Sequence, residues 1–433
     1  MMQASWQDRS LGMEYYITDI PGCGGRIRSI PEDFSVQEVY RDAGYEGGRY
    51  LVLEVEKKDW DTHRLIREMA RQLRISQRRF SWAGTKDKRA LTAQRVSIMN
   101  LDESELERVQ LPDLRIRVLG RTNRAVGLGD LKGNLFRIIV RDLECPGPQE
   151  RIGHITAQIA SFRGVPNYFG VQRFGEIRPV THRVGEALVR GDPEKAVLIY
   201  LAEPFPGEPE GTREARTMLW ESRDIPAALR RFPKHLHYEL AVMNYLVEHP
   251  GEYSRAFQVL PENLRRLFVH AYQSYLFNRI LSRRLEAELP LDRPVEGDVV
   301  CFSTDGLPEI GRLQRVAQSN IEAVNRLAVR GRAFVVLPLI GYETGLSDGI
   351  QGEIERAVLE EEGLGPLDFR VASGPWLGSR GTWRAALLPV TPSVDLQGSS
   401  AALEFFLPKG GYATVVLREY MKSATVIHEQ AGG

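Results

Sequence analysis

Residues 61–95 read DTHRLIREMARQLRISQRRFSWAGTKDKRALTAQR, and this stretch predicts one helix followed by a charged loop. Asp61 and Thr62 supply the oxygen atoms that cap the start of a helix. The residues that follow divide into an apolar and a basic face at helical spacing. The apolar face holds Leu65, Ile66, Met69, Ala70 and Leu73. The basic face holds Arg64, Arg67, Arg71, Arg74 and, if the helix extends that far, Arg78.

The arginine face of this helix would place like charges side by side, where they repel one another. A bound phosphate backbone would relieve that repulsion, and a solvated helix face is the equally weighted alternative. Residues 61–95 hold ten basic and three acidic residues, and residues 115–141 hold seven and one. Because the whole chain has no formal net charge, these segments predict a surface that binds a polyanion. The alternative is that the two basic segments form ordinary solvated surfaces, which is the commoner case in an arbitrary protein.

Alternating apolar and polar residues predict strands on both sides of the helix. These strands lie at 34–38, 51–55, 96–98, 116–118 and 135–140. The segment 135–140 is apolar on both faces, which predicts a central strand. Two more strands are predicted near the C-terminus, at 401–407 and 412–418, with the turn residues 408–411 between them.

The middle of the chain has helical rather than strand periodicity. Helices are predicted within 181–201, 226–246 and 263–285. A connector rich in Pro, Gly and Glu lies between the first two of these segments, at 203–211. The chain is therefore rich in strands, then in helices, then in strands again. This order predicts a second domain inserted into the first, with the C-terminal strands completing the sheet.

The composition of the 433 residues excludes several classes of protein. A hydrophobic share of 42% and a charged share of 26% are ordinary for a globular chain and exclude a wholly disordered one. Cys23, Cys145 and Cys301 are too few and too far apart for a disulfide scaffold or a thiolate metal site, and they fit a reducing cytoplasm. No apolar run approaches the roughly 20 residues of a membrane-spanning helix, and residues 1–12 lack the apolar core of a signal peptide. We therefore expect a cytoplasmic protein.

Several standard sites are absent from the sequence. The glycines between Gly127 and Gly133 have the wrong spacing for a dinucleotide fingerprint and precede a strand, and no P-loop surrounds Lys86. His235 and His237 have no further ligand nearby for a metal. No Gly-x-Ser-x-Gly nucleophile elbow is present.

The loop 84–90 offers a different chemistry. Asp87 is a single carboxylate among Lys86, Lys88 and Arg89. Nearby cations favour the ionised form of a carboxylate, so Asp87 is a candidate nucleophile or base. Taken alone, such a segment is more often a charged turn.

Five segments, in order along the chain, resemble the motifs of the TruD family of pseudouridine synthases. They are Ile30–Glu38 with its Pro-Glu-Asp-Phe, Ser81–Gln94 around Asp87, Lys132–Phe136 with its Gly-Asn-x-Phe, Pro166–Gly175, and Gly411–Glu419. The last segment resembles the family's C-terminal strand. The resemblance spans nearly the whole chain.

The resemblance implies an α+β fold. We expect a pseudouridine synthase-like mixed, mainly antiparallel sheet flanked by helices, with an inserted α/β TRUD domain. The expected catalytic domain comprises 1–166 and 368–433, and the expected inserted domain comprises 167–367.

The resemblance also implies an RNA reaction without metal or nucleotide cofactor. In that reaction the N1–C1′ bond of uridine breaks, the uracil rotates, and C5 bonds to C1′. The implied substrate is uridine 13 of tRNA. The extra length between Arg183 and Asn263 resembles the archaeal or eukaryotic branch, in which other RNAs are possible targets. We expect a monomer with no membrane partner.

Site residues follow from the motif matches. Asp87 is the implied catalytic residue, either attacking C1′ or acting as a base at the ribose. The implied substrate-binding residues are Phe136, Asn134, Arg418, Tyr412, Arg28 and Lys86. Phe136 would lie against the target base, although a core residue is the alternative reading of an aromatic on an apolar strand. Arg418 is a candidate ion-pair partner of Asp87. The expected RNA-backbone contacts are Arg64, Arg67, Arg71 and Arg74.

Two other functions remain open at the level of sequence. One is a non-catalytic RNA-binding or RNA-folding module on the same scaffold, for which an intact Asp87 would have no purpose. The other is a nucleoside hydrolase, which would be expected to carry a metal site or paired carboxylates.

Overall fold

The computed structural model describes residues 1–41, 44–303 and 305–423. The chain forms two compact units. The middle unit comprises Met1–Ile17 and Pro166–Leu387, and the sheet unit comprises Thr18–Val165 and the chain from Leu388 onward.

These units have different bounds from the domains expected from the sequence. The first residues belong to the middle unit, where the main-chain amide of Glu14 donates to the hydroxyl of Ser282 (3.0 Å) and the side-chain Nδ2 of Asn278 donates to the carbonyl of Leu11 (2.9 Å). The return to the sheet unit comes at Leu388 rather than at residue 368, because residues 382–385 pair with a strand of the middle unit.

Sixteen strands and thirteen helices lie in the described part of the chain. The strands are β1 Met2–Gln3, β2 Tyr15–Tyr16, β3 Phe34–Tyr40, β4 Tyr50–Lys58, β5 Phe80–Trp82, β6 Leu91–Met99, β7 Leu114–Thr122, β8 Leu131–Val140, β9 Gly164–Pro166, β10 Val299–Phe302, β11 Glu309–Arg315, β12 Ala333–Leu339, β13 Thr382–Ala385, β14 Leu387–Pro389, β15 Ser393–Gln397 and β16 Ser400–Pro408. The helices are α1 Trp6–Arg9, α2 Thr62–Leu73, α3 Pro148–Ser161, α4 Thr181–Val189, α5 Pro193–Ala202, α6 Glu210–Ser222, α7 Ile225–Leu229, α8 His237–Glu248, α9 Tyr253–Ala256, α10 Glu262–Glu286, α11 Ile321–Val329, α12 Gly349–Glu361 and α13 Ala413–Met421. None of these helices is both long and apolar enough to span a membrane.

The sheet unit is built on one large sheet with the strand order β15-β16-β8-β3-β6-β4-β7. β5 pairs with residues 96–98 of β6, beyond the residues 91–93 that pair with β3. Only β3 and β6 run parallel, and the other pairs in this sheet are antiparallel. The expected mixed, mainly antiparallel α+β fold is therefore confirmed. β8 lies inside the sheet as predicted, but Leu135 on its second face is 43% exposed.

Helix α2 covers one face of this sheet. Its apolar residues pack against alternate residues of β4 and β6 and form a buried cluster. Each fully buried Leu or Ile contributes roughly 1.5–3 kcal/mol. Asp61 caps the helix by accepting from the amide of Arg64 (2.9 Å), as predicted.

Helix α2 ends before Arg78, so the longer helix considered from the sequence is wrong. Arg74 takes a left-handed conformation (φ 57°), and the amide of Ile75 donates to the carbonyl of Ala70 (3.0 Å). This pattern closes a helix C-terminus. Arg78 lies in a separate short turn, Gln77–Arg79.

The C-terminal segment corrects another prediction. β16 forms as expected, but the predicted strand at 412–418 is helix α13, in which every residue is buried. A continuous apolar run has the same sequence pattern in a buried strand and in a buried helix. Packing on α3 favours the helix, because the Tyr420 hydroxyl lies 3.0 Å from that of Thr156.

The middle unit combines helices with the antiparallel sheet β11-β10-β12-β13. The long helix predicted at 263–285 is confirmed as α10. The predicted segment 181–201 contains α4 and α5, and 226–246 contains α7 and most of α8. Because the sheet is wholly antiparallel, this unit is α+β rather than the expected α/β.

Candidate active site

The loop that carries Asp87 connects β5 to β6 and is fixed by the start of α2. The amide of Lys86 donates to the hydroxyl of Thr62 (3.1 Å), and that hydroxyl donates to the side chain of Gln94 (3.2 Å). The side-chain Nε2 of Gln94 in turn donates to the carbonyl of Gly84 (3.4 Å). The loop backbone is thus held, while the Asp87 side chain remains 53% exposed.

Arg28 forms an ion pair with Asp87 through its terminal nitrogen. The Arg28 side chain is only 20% exposed, and its guanidinium carbon lies 4.2 Å from the centre of the Phe34 ring. An arginine held between a ring and a carboxylate fixes the direction of that carboxylate. From the sequence we expected Arg418 in this position, but the structure places Arg28 on Asp87.

Lys86 also lies at the site, but its ammonium points to a carboxylate that sequence reasoning missed. The Nζ atom lies 2.5 Å from Glu38 Oε1, and the Glu38 side chain is completely buried. The hydroxyl of Tyr40 and the amide of Arg95 also donate to Glu38. Burial raises the pKa of the Glu38 carboxyl, and Lys86 opposes that shift. The pair anchors the loop one residue before Asp87.

Lys57 is a second buried cation that sequence reasoning missed. It has no exposed surface, and its Nζ atom donates to the main-chain carbonyls of Trp60 (2.5 Å) and Asp87 (3.2 Å). Burial lowers the pKa of this ammonium to about 8, although Asp61 and Asp87 favour its charged form.

The sequence did contain a signal for both residues. Glu38 continues the alternation of Phe34 and Val36, and Lys57 continues that of Leu53 and Val55. A charged residue in the buried phase of a strand predicts a buried charge with dedicated partners.

Phe136 is packed among aromatic rings and is only 7% exposed. Its ring lies 5.6 Å from Phe405 in a stacked arrangement and 6.2 Å from Phe34 edge to face. Since Phe34 also contacts Arg28, the rings connect β8 to the Asp87 ion pair.

Asn134 is two residues before Phe136 on β8 and lies opposite Glu38 in the register with β3. Its side-chain oxygen is buried and has no hydrogen-bond partner within the described residues. A buried acceptor without a donor is costly and suits a ligand that brings one.

Two predicted substrate-binding residues lie at the C-terminal helix, one on α13 and one just before it. Arg418 is buried, and its terminal nitrogen lies 3.5 Å from Glu419, which accepts from the hydroxyl of Thr18 (2.8 Å). Tyr412 immediately precedes the helix and is half-buried.

The predicted RNA-backbone arginines are all exposed, three on the outer face of α2 and the fourth at its end: Arg64, Arg67, Arg71 and Arg74. Arg71 pairs with Glu68 (2.9 Å), and Arg64 lies over the Trp60 ring (5.5 Å). In the described ranges, no group of three or more His, Cys, Asp or Glu side chains is placed to hold a metal ion.

Residues 10–420 match the family model of tRNA pseudouridine synthase D, TruD. The chain belongs to the TruD family. It is therefore an isomerase of the pseudouridine synthase class.

A protein of Methanosarcina mazei named "Probable tRNA pseudouridine synthase D" is 49% identical over 426 residues, which are 96% of this chain and 97% of the relative. A protein of Archaeoglobus fulgidus with the same name is 41% identical and covers 96% of this chain and 99% of its own. A crystal structure from Methanosarcina mazei, described under the TruD name, superposes with a TM-score of 0.87 at 48% identity over 98% of this chain and 99% of its own.

Proposed function

We propose that this TruD protein converts uridine 13 of tRNA to pseudouridine and that Asp87 performs the chemistry. The N1–C1′ bond breaks, the uracil turns, and C5 bonds to C1′. The proton on C5 is lost and N1 gains one, so the reaction is an isomerisation. The observation that carries this proposal is a half-exposed carboxylate on an anchored loop, paired with a largely buried arginine.

Asp87 can act in either of two ways. Its carboxylate attacks C1′, or it removes a proton from the ribose, and both routes need the ionised form. The Arg28 guanidinium pairs with one oxygen of the carboxylate, and the side chain of Asp87 stays 53% exposed to substrate.

Asn134 and Phe136 are proposed to receive the base. The unsatisfied acceptor of Asn134 suits the N3–H of uracil. Phe136 offers only a small part of its ring, so its role combines packing of the aromatic cluster with one edge of the base pocket. Arg418 and Tyr412 complete the proposed substrate-binding set from α13, and Lys86 contributes by holding the loop.

RNA binding is proposed to rest on the arginines of α2 and on the middle unit. The exposed side chains Arg64, Arg67, Arg71 and Arg74 would contact phosphates. We assign the middle unit a part in selecting the RNA and no reacting group. The relatives named as tRNA pseudouridine synthases support tRNA as the substrate. We propose that the protein acts as a monomer in the cytoplasm, with other RNAs as further targets.

Mass-labelled mapping of pseudouridine in tRNA treated with the protein tests the proposal. We expect conversion at position 13 by the native chain and none by Asp87→Asn. Binding of tRNA without conversion by the native chain would instead favour the non-catalytic RNA-binding module.

A further inference from the structure

Lys57 is an unusual residue because a fully buried ammonium is expensive unless it is paired. Its two hydrogen bonds go to main-chain carbonyls, one at Trp60 before α2 and one at Asp87 itself. If Lys57 only filled space, an apolar side chain of the same length would do so at a lower free-energy cost of burial.

The charges around Lys57 come from two elements. Asp61 at the start of α2 and the Asp87 carboxylate favour its protonated form, and Lys86 on the same loop opposes it. The facing residue on β6 is Thr92, which carries no charge. Lys57 thus contacts the main chain of Asp87, while Arg28 pairs with its carboxylate.

We propose that Lys57 is a positioning residue that holds the main chain of Asp87 and thereby places its carboxylate. This inference rests on the proposed catalytic role of Asp87. It assigns a function to a side chain that does not touch the RNA. Loss of the ammonium would release the carbonyl of Asp87 and misplace the carboxylate.

Because Lys57 is proposed to act in its protonated form, the rate of the reaction should depend on pH. Since burial lowers the pKa of Lys57 to about 8, the single-turnover rate constant should fall as the pH rises above about 8. The contribution of Lys57 to the free energy of unfolding should change in the opposite direction and increase with pH. The folded state loses this proton between pH 8 and the ordinary pKa of 10.5, where the unfolded state still holds it, so the Lys57 contribution to stability rises with pH.

The test compares Lys57→Met with the neighbouring Lys58→Met in single-turnover assays at saturating enzyme. Lys58 is partly exposed and pairs with Glu32 (3.1 Å) and Asp113 (3.2 Å), so it is a matched control. Lys57→Met should lower the rate constant at pH 7 by about 10–100-fold, the range expected for a misplaced catalytic group. Its tRNA affinity should stay within about twofold, and the fall above pH 8 should disappear. Lys58→Met should keep the native rate and pH profile.

Two results would overturn the inference. One is a Lys57→Met rate within about twofold of native. The other is a native rate constant that stays flat from pH 7 to pH 10, which decides the matter even if Lys57→Met does not fold. Failure of the proposed function is a separate result, because it would appear as native-like turnover by Asp87→Asn.

Discussion

The ion pair between Glu38 and Lys86 connects a sheet strand to the residue next to Asp87. Breaking one partner of a buried pair leaves the other charge without compensation. We therefore predict that Glu38→Gln lowers the free energy of unfolding by about 3–5 kcal/mol, measured by urea denaturation. The double variant Glu38→Gln with Lys86→Met should recover part of that loss, since neither charge then remains buried.

Glu32→Gln is the matched control, because Glu32 is 46% exposed and pairs with Lys58 at the surface. Exposed pairs contribute roughly 0–1 kcal/mol. Equal losses from Glu38→Gln and Glu32→Gln would show that the buried pair does not hold the loop.

Single residues also show what the sequence could predict. Asp87 and Arg28 were identified because the motifs around them match a known family. Glu38 and Lys57 were missed although the strand alternation places both in a buried phase, because their partners come from distant parts of the chain and appear only in the folded structure.

Among the elements, helix α2 shows most clearly that the two faces of one helix can have different roles. Its apolar face packs on the sheet, and its arginines remain exposed. We predict that neutralising Arg67, Arg71 and Arg74 to Gln reduces the slope of log K against log salt for tRNA by about two to three, because each lost phosphate contact removes about 0.7–0.9. The measurement is a binding titration at several salt concentrations.

The same three positions changed to Lys provide the control, since charge is kept while the fork geometry is lost. That variant should retain the native slope. If the Gln variant also retains it, the arginine face is only solvated.

Elements with clear periodicity were predictable, and those decided by packing were not. The spacing of apolar residues predicted α2 and α10, and Asp61 caps the start of α2. The run at 412–418 contains β-branched residues and is typical of a strand, but packing on α3 favours helix α13.

At the scale of the molecule, strands from both ends of the sequence form one sheet. β16 pairs along its length with β8, although residues 166–387 of the middle unit lie between them in the sequence. Within the sheet unit Gly164 lies close to the carbonyl of Leu388, so a short flexible linker can replace the residues between them. We predict that this shortened chain folds and retains turnover but binds tRNA at least about tenfold more weakly, roughly 1.4 kcal/mol.

Circular dichroism and tRNA titration of the shortened chain are the measurements. Failure of the two flanks to associate would contradict the prediction. So would a residue within 181–285 that proves essential for the chemical step at saturating enzyme.

The most direct test of the account is single-turnover release of tritium from C5-labelled uridine in tRNA by Asp87→Asn. The change removes the carboxylate but keeps the shape of the side chain, and we propose that RNA binding comes from the cations around it. We predict no detectable turnover and a tRNA affinity within about tenfold of native, or about 1.4 kcal/mol. Turnover by Asp87→Asn within about tenfold of the native rate would contradict the assignment of Asp87 as the catalytic residue.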